Sequence, residues 1–339
     1  MRDSVAAREE PPQAATHRYG TSPGRYQYLM RQNSPEAFCA EGVRLSRKKR
    51  HEESVYWFGL ALQQDPSCRP ALLGLGFALG KLGRYDEEIQ CCDRVLALDP
   101  RSADALLMKG FALGKQGDFH GKLACCGQAL AINPDSATAW NMKGQAHGML
   151  EDYEEELACC EQAALLRPRY IGAWVNMGYA LVQLGRYREA VRACNRAIRI
   201  YPHFMAAWVT KGIALCGLME YHAALDCFEY AGEEASGSTR ALYWRGLALS
   251  RTGQFREAID CLTRVVDRDA RYADAWVILS NCHFMLGNLD ESGRCFMTAY
   301  GIDKQDIREL VRKSITNWRQ GNSREALQHM SGVFGILLR

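Results

Sequence analysis

At 339 residues the chain is longer than a single globular core, which stops growing near roughly 250 to 300 residues, so it predicts either several domains or a repeat array. Its composition is that of an ordinary soluble protein, with 47% hydrophobic and 24% charged residues, and a formal net charge of +3 argues against a nucleic-acid footprint. No apolar run reaches the roughly 18 to 20 residues of a membrane span and residues 1–34 hold no secretory core, which predicts a cytoplasmic protein with reduced thiols despite 14 cysteines.

Residues 1–34 differ in kind from the rest. Pro11-Pro12, Gly20, Pro23-Gly24, several arginines and little apolar periodicity predict a flexible tail, with Tyr26, Leu29 and Met30 consistent with a short helix over 27–32. From Pro35 onward one period governs the chain. Placing Pro100, Pro134, Pro168 and Pro202 in one column also aligns Trp140, Trp174, Trp208 and Trp276, and Gly42, Gly76, Gly110, Gly144, Gly178, Gly212 and Gly246. The array over 35–339 then has nine units, starting at Pro35, Arg69, Ala103, Ala137, Ile171, Met205, Thr239, Ala273 and Ile307.

Within a unit, Trp174, Met177, Gly178 and Leu181 recur at helical spacing, Gly185-Arg186-Tyr187 breaks the run, and Ala190, Val191, Cys194, Ala197 and Ile198 resume it. Each unit therefore predicts two amphipathic helices joined by a tight turn and closed by a proline that cannot extend the second helix. Glycine on the first helix and alanine on the second let the backbones approach closely. No such pair buries both faces alone, so the units must stack.

Units two to four form a subtype. Each carries a second glycine (Gly80, Gly114, Gly148), a cysteine pair, and a long charged residue (Glu88, Lys122, Glu156) where Ala190, Ala224 and Ala258 stand later. Helices pack about 10 Å apart, so Glu88, Lys122 and Glu156 are within reach of an alternating ion-pair ladder that helps choose the partner, the alternative being a partly solvated network tolerated because glycine leaves room. The ends are the least regular: unit one has Lys49-Arg50-His51 at the turn and a solvated basic run from Arg44 to Arg50, and the eighth closes on Lys304. The last helix carries Leu327, Met330, Phe334 and Leu337, an apolar end where a stack ordinarily has a polar cap, which predicts either self-association into a homo-oligomer or a point at which a longer chain was cut.

The pattern resembles the tetratricopeptide repeat family, whose units of this length carry a Trp or Leu, a Gly, a Gly-aromatic turn, small residues and a closing Pro at these spacings. The resemblance implies an all-α, right-handed superhelical α-solenoid of antiparallel helix pairs, with the first helices lining a concave groove that holds a peptide or a partner's helix. In this register the groove is drawn from Leu73, Phe77, Met108, Phe111, Met142, Asn176, Tyr179, Ile213, Tyr243, Trp244, Ile278 and Phe284, with Tyr179, Trp244 and Met142 as anchors. Such a surface predicts an apolar or amphipathic protein partner. A carboxylate clamp is incomplete, because Gln145, Ala206 and Thr210 stand where its remaining members belong, and the single Asn176 in its column is no asparagine ladder.

Adjacent cysteines such as Cys91 and Cys92 point about 100° apart and no CxxC offers ligand spacing, so the thiols are expected in the core and no metal or cofactor is implied. No histidine stands in a Ser, Cys or Asp constellation, so no catalytic residue is assigned and an enzyme is not expected. RNA-reading helical repeats use polar code residues, which this apolar groove lacks. The expected function is a non-catalytic protein-interaction scaffold; the alternative is a self-assembling structural protein.

Overall fold

The computed structural model describes residues 21–305, 307–309 and 312. It divides into two compact units, Met1–Pro168 and Arg169–Arg339, and every regular element among the described residues is an α-helix. The ninth repeat is described only at 307–309 and 312, and Leu327, Met330, Phe334 and Leu337 lie outside the described residues.

The N-terminal unit opens with α1 (Pro23–Gln32) and continues as four helix pairs: α2 (Pro35–Arg47) with α3 (His51–Gln64), α4 (Arg69–Lys81) with α5 (Tyr85–Leu98), α6 (Ala103–Lys115) with α7 (Phe119–Ile132), and α8 (Ala137–Met149) with α9 (Tyr153–Leu166). The C-terminal unit pairs α10 (Ile171–Gln183) with α11 (Tyr187–Ile200), α12 (Met205–Gly217) with α13 (Tyr221–Gly237), α14 (Thr239–Arg251) with α15 (Phe255–Arg268), and α16 (Ala273–Met285) with α17 (Leu289–Ile302). Helix α13 carries one non-helical residue, Gly232.

Local chemistry starts and stops these helices. Ser34, Ser102, Ser136 and Ser238 each accept a hydrogen bond from the amide three residues on, capping α2, α6, α8 and α14. The turn inside each pair needs one left-handed residue, supplied by Gly83, Gly117, Gly185, Gly253 and Gly287, and by Lys49, Glu151 and Met219 where the glycine is missing. Between repeats, the indole N–H groups of Trp140, Trp208 and Trp276 donate to the carbonyls of Pro134, Pro202 and Ala270, fastening each of these first helices to the turn before it.

The core runs inside and between the pairs. A Cβ on Gly178 would lie 2.7 Å from the Cys194 sulfur, and one on Gly144 would lie 3.1 Å from that of Cys160. The glycine column therefore sets the approach of the two helices, and the facing cysteines fill what little space remains. In the first pair a larger residue, Phe58, packs across Gly42 and Gly74. All 14 cysteines are free thiols, and all but Cys39 and Cys68 are buried. The eighth pair replaces glycine with hydroxyls: Ser280 Oγ donates to the Ser292 carbonyl, and Ser292 Oγ donates to that of Ser280.

The short helix expected over 27–32 is longer, spanning Pro23–Gln32, and it packs on the first pair. Leu29 is buried, the Tyr26 ring meets Trp57 edge-on at 5.8 Å, and the Glu41 carboxylate, fully buried in α2, accepts from Thr21 Oγ1 and Arg25 Nε, each at 2.7 Å. Arg44 donates to the same carboxylate. Burial pushes the Glu41 carboxyl up, but hydrogen bonds from Arg44, Thr21 and Arg25 outweigh it and hold its pKa at about 2. A buried charge of this kind survives only because it is satisfied on all sides, and that satisfaction fixes α1 to the first pair.

Candidate functional site

Within each unit, every second helix packs on its own first helix and on the next one, and successive first helices also touch. Among the described residues no two second helices touch. First helices are therefore the more closely spaced layer, and each unit curves with its first helices on the inner side. That inner face is the surface on which the sequence places a partner.

The residues drawn onto it divide by unit. In the N-terminal unit, Phe77 and Phe111 stand partly in solvent, 46% and 42% exposed, with the His51 ring of α3 edge-on to Phe77 at 6.3 Å. Leu73 packs partly into the core beside Leu72 and Val95, Met108 reaches back to Gly76, and Met142 is half-buried.

The inner face of the C-terminal unit is more nearly filled. Ile213 is 4% exposed, and Ile278 and Tyr243 pack against the core formed by α14 to α17. The Tyr243 ring lies 4.9 Å from that of Tyr272 and 5.5 Å from that of Trp244, and burial pushes its hydroxyl well above the ordinary tyrosine range. Tyr179 of α10 is covered by the Arg240 guanidinium, 4.6 Å from the ring centroid, while Arg240 also donates to Gln183 at 3.0 Å. Arg240 stands at the start of α14, so it spans the intervening first helix α12 to reach α10. Trp244, Asn176 and Phe284 are half-buried.

The charged ladder does not form. No ion pair joins Glu88, Lys122 and Glu156 among the described residues, although all three are buried. Each side chain lies over the second glycine of its own pair: a Cβ on Gly114 would lie 2.7 Å from Lys122 Cδ, and those on Gly80 and Gly148 would run into the carboxylates of Glu88 and Glu156. Pointing into their own pairs, the charges do not reach one another. Glu88 Oε2 and Glu156 Oε2 have no hydrogen-bond partner, and Lys122 Nζ meets Gln145 Oε1 at 3.4 Å. Burial raises Glu88 to about 7, with Lys81 pulling the other way, and raises Glu156 to about 8; it also lowers Lys122.

Later pairs solve the same packing problem differently. Opposite Ala190, Ala224 and Ala258 stand Val182, Cys216 and Ser250 in place of the second glycine. Volume is exchanged across the pair: a long second-helix side chain goes with glycine, and alanine goes with a larger first-helix residue. That complementarity was readable in the sequence as two columns that vary together, but only the geometry shows that they touch.

Among the described residues no group of three or more His, Cys, Asp or Glu side chains converges as metal ligands do, and no helix is long and apolar enough to cross a membrane. The chain matches the tetratricopeptide repeat family over residues 70–102, 137–170, 172–204 and 243–306. No curated protein matches it. Among solved structures it is similar to the APC/C hetero-tetramer Cut9-Hcn1, at a TM-score of 0.61 and 13% identity over 82% of this chain and 56% of that one. A tetratricopeptide repeat protein from Parabacteroides merdae aligns at 0.56 and 14%, over 72% and 97% of the two chains. PilF from Pseudomonas aeruginosa aligns at 0.53 and 18%, over 61% and 94%. At these identities the likeness is one of fold.

Proposed function

The chain belongs to the tetratricopeptide repeat family, and from that premise we propose that it is a non-catalytic scaffold that binds a peptide or partner helix across the first-helix face of its N-terminal unit. One observation carries this reading. Phe77 and Phe111 are aromatic side chains left partly in water at equivalent places on neighbouring first helices, so that their exposure repeats along one face. Aromatic groups of this size dominate interface energetics when a partner covers them, and an apolar patch repeated along a surface marks an interaction site.

The filled inner face of the C-terminal unit moves the expected anchors. Tyr179 already has Arg240 across its ring, and Tyr243 with Trp244 forms an aromatic cluster of its own. A partner gains more by covering Phe77 and Phe111 than by displacing those contacts.

The test is affinity capture with the purified chain, repeated with the double variant F77A/F111A and with L165A, which alters an exposed second-helix position. Partner binding is expected to weaken by about 2 kcal/mol or more in the double variant and to persist in L165A. Unchanged capture by F77A/F111A contradicts the reading.

A further inference from the structure

Two parallel rows run along the first helices of the N-terminal unit. One row is apolar: Val43 in α2, Phe77 in α4 and Phe111 in α6, 40%, 46% and 42% exposed. One helical turn further along the same helices runs a basic row of Arg47, Lys81 and Lys115, all exposed. Lys81 Nζ lies 5.2 Å from the Phe77 centroid and Lys115 Nζ lies 5.5 Å from that of Phe111. Among the described residues, no ion pair involves any of these three cations. Both rows stop at α8, where Gln145 and Met149 occupy the equivalent places. The face thus has an apolar centre, a basic margin at the C-terminal ends of α2, α4 and α6, and a length of three helices.

Resting on the scaffold reading above, we propose that this face takes an acidic amphipathic helix of a partner protein. Its apolar residues cover Val43, Phe77 and Phe111, and its carboxylates pair with Arg47, Lys81 and Lys115. The spacing fits. Neighbouring helices pack about 8 to 10 Å apart, and a helix presents the same face every seven residues, after about 10.5 Å. A partner with apolar residues at i, i+7 and i+14 therefore matches the three helices in turn, the helix-in-groove mode of recognition.

Charge complementarity selects the acidic partner. Among the described residues none of the three cations is ion-paired, although Lys81 also acts on the buried Glu88 carboxyl, and a cation over an aromatic ring keeps its full charge. Lined up on one side of the apolar row, they favour a helix whose acidic flank faces the same way and disfavour a basic one. A single-stranded nucleic acid fits less well. Its bases need open ring faces to stack on, and the lysines already lie over those of Phe77 and Phe111. Phosphates would also meet the exposed carboxylates of Glu36 and Asp104 at the opposite ends of α2 and α6.

The experiment titrates the full chain against fluorescent synthetic helical peptides of about three heptads with Leu at every seventh residue, one flank being Glu, Gln or Lys. The Glu peptide is expected to bind, with the Gln peptide weaker by about tenfold, the sum of three modest charge pairs, and the Lys peptide weaker still. In the K81E/K115E variant the preference should reverse, so that the Lys peptide binds better than the Glu peptide; a misfolded variant cannot show that gain. Equal binding of all three peptides by the wild type overturns the acid preference while leaving the scaffold reading intact. Tighter binding of a single-stranded oligonucleotide than of the Glu peptide overturns it as well. If none of the peptides binds, the proposed occupant is wrong, and the scaffold reading still stands or falls on the capture experiment with F77A/F111A.

Discussion

Glu156 lies over Gly148 with one carboxylate oxygen unpartnered, and Glu88 lies over Gly80 in the same way. Burial raises their pKa values to about 8 and about 7, so the folded chain holds protons that the unfolded chain releases near 4.5. The stability linked to those protons is fully present below about pH 4.5 and is lost as pH rises through about 7 and then about 8. Over the range between, each group contributes a slope of up to about 1.4 kcal/mol per pH unit. Glu41 has the opposite sign: its pKa, held at about 2, adds stability above pH 4.5 that is lost as pH falls toward 2. In denaturant melts at pH 5 and pH 9, E156Q is expected to flatten part of the alkaline loss, because the amide keeps the shape without the charge. A variant that loses stability between those pH values as steeply as the wild type contradicts the assignment. The ion-pair ladder failed at this same scale. Equal spacing along the stack says nothing of side-chain direction, and residues on one face of a second helix point into their own pair.

At the scale of the helix pair, volume is exchanged between two positions. Gly148 opposite Glu156 and Val182 opposite Ala190 are two solutions of one packing problem. Gly148→Val alone should destabilise by about 2 kcal/mol, since its side chain enters the space that Glu156 fills. Adding Glu156→Ala should recover most of that loss, a coupling of about 1 to 3 kcal/mol in a double-mutant cycle. Simple additivity of the two changes would refute the exchange. The first helices start where the Trp, Gly and Pro columns place them, because a repeated breaker and a repeated close approach leave strong sequence marks. The helix α1 left a weaker one. Glu41 stands in a column that reads Leu75, Lys109, Lys143 and Met177 in the next four repeats, and the partners that bury it, Thr21 and Arg25, lie in a segment whose prolines and glycines read as tail. Which inner-face residues stay open was not legible either. The columns tell which way Tyr179 and Phe77 face, but not that Arg240 reaches across a helix to cover the first while the second stays 46% exposed.

At the scale of the molecule, each unit is a stack of antiparallel pairs whose first helices crowd together and whose second helices stand apart. Stability in such stacks comes from neighbour contacts, which leaves the inner face free to vary. That freedom shows in the contrast between the units: aromatic side chains close over one inner face and stand open on the other. The central claim is that a partner lies on the open one. Site-specific photo-crosslinking tests it most directly, with a photoreactive phenylalanine analogue placed at position 77 in one chain and at position 165, an exposed second-helix site, in another. The scaffold account predicts a partner adduct from position 77 and none from position 165; an adduct from position 165 alone would contradict it.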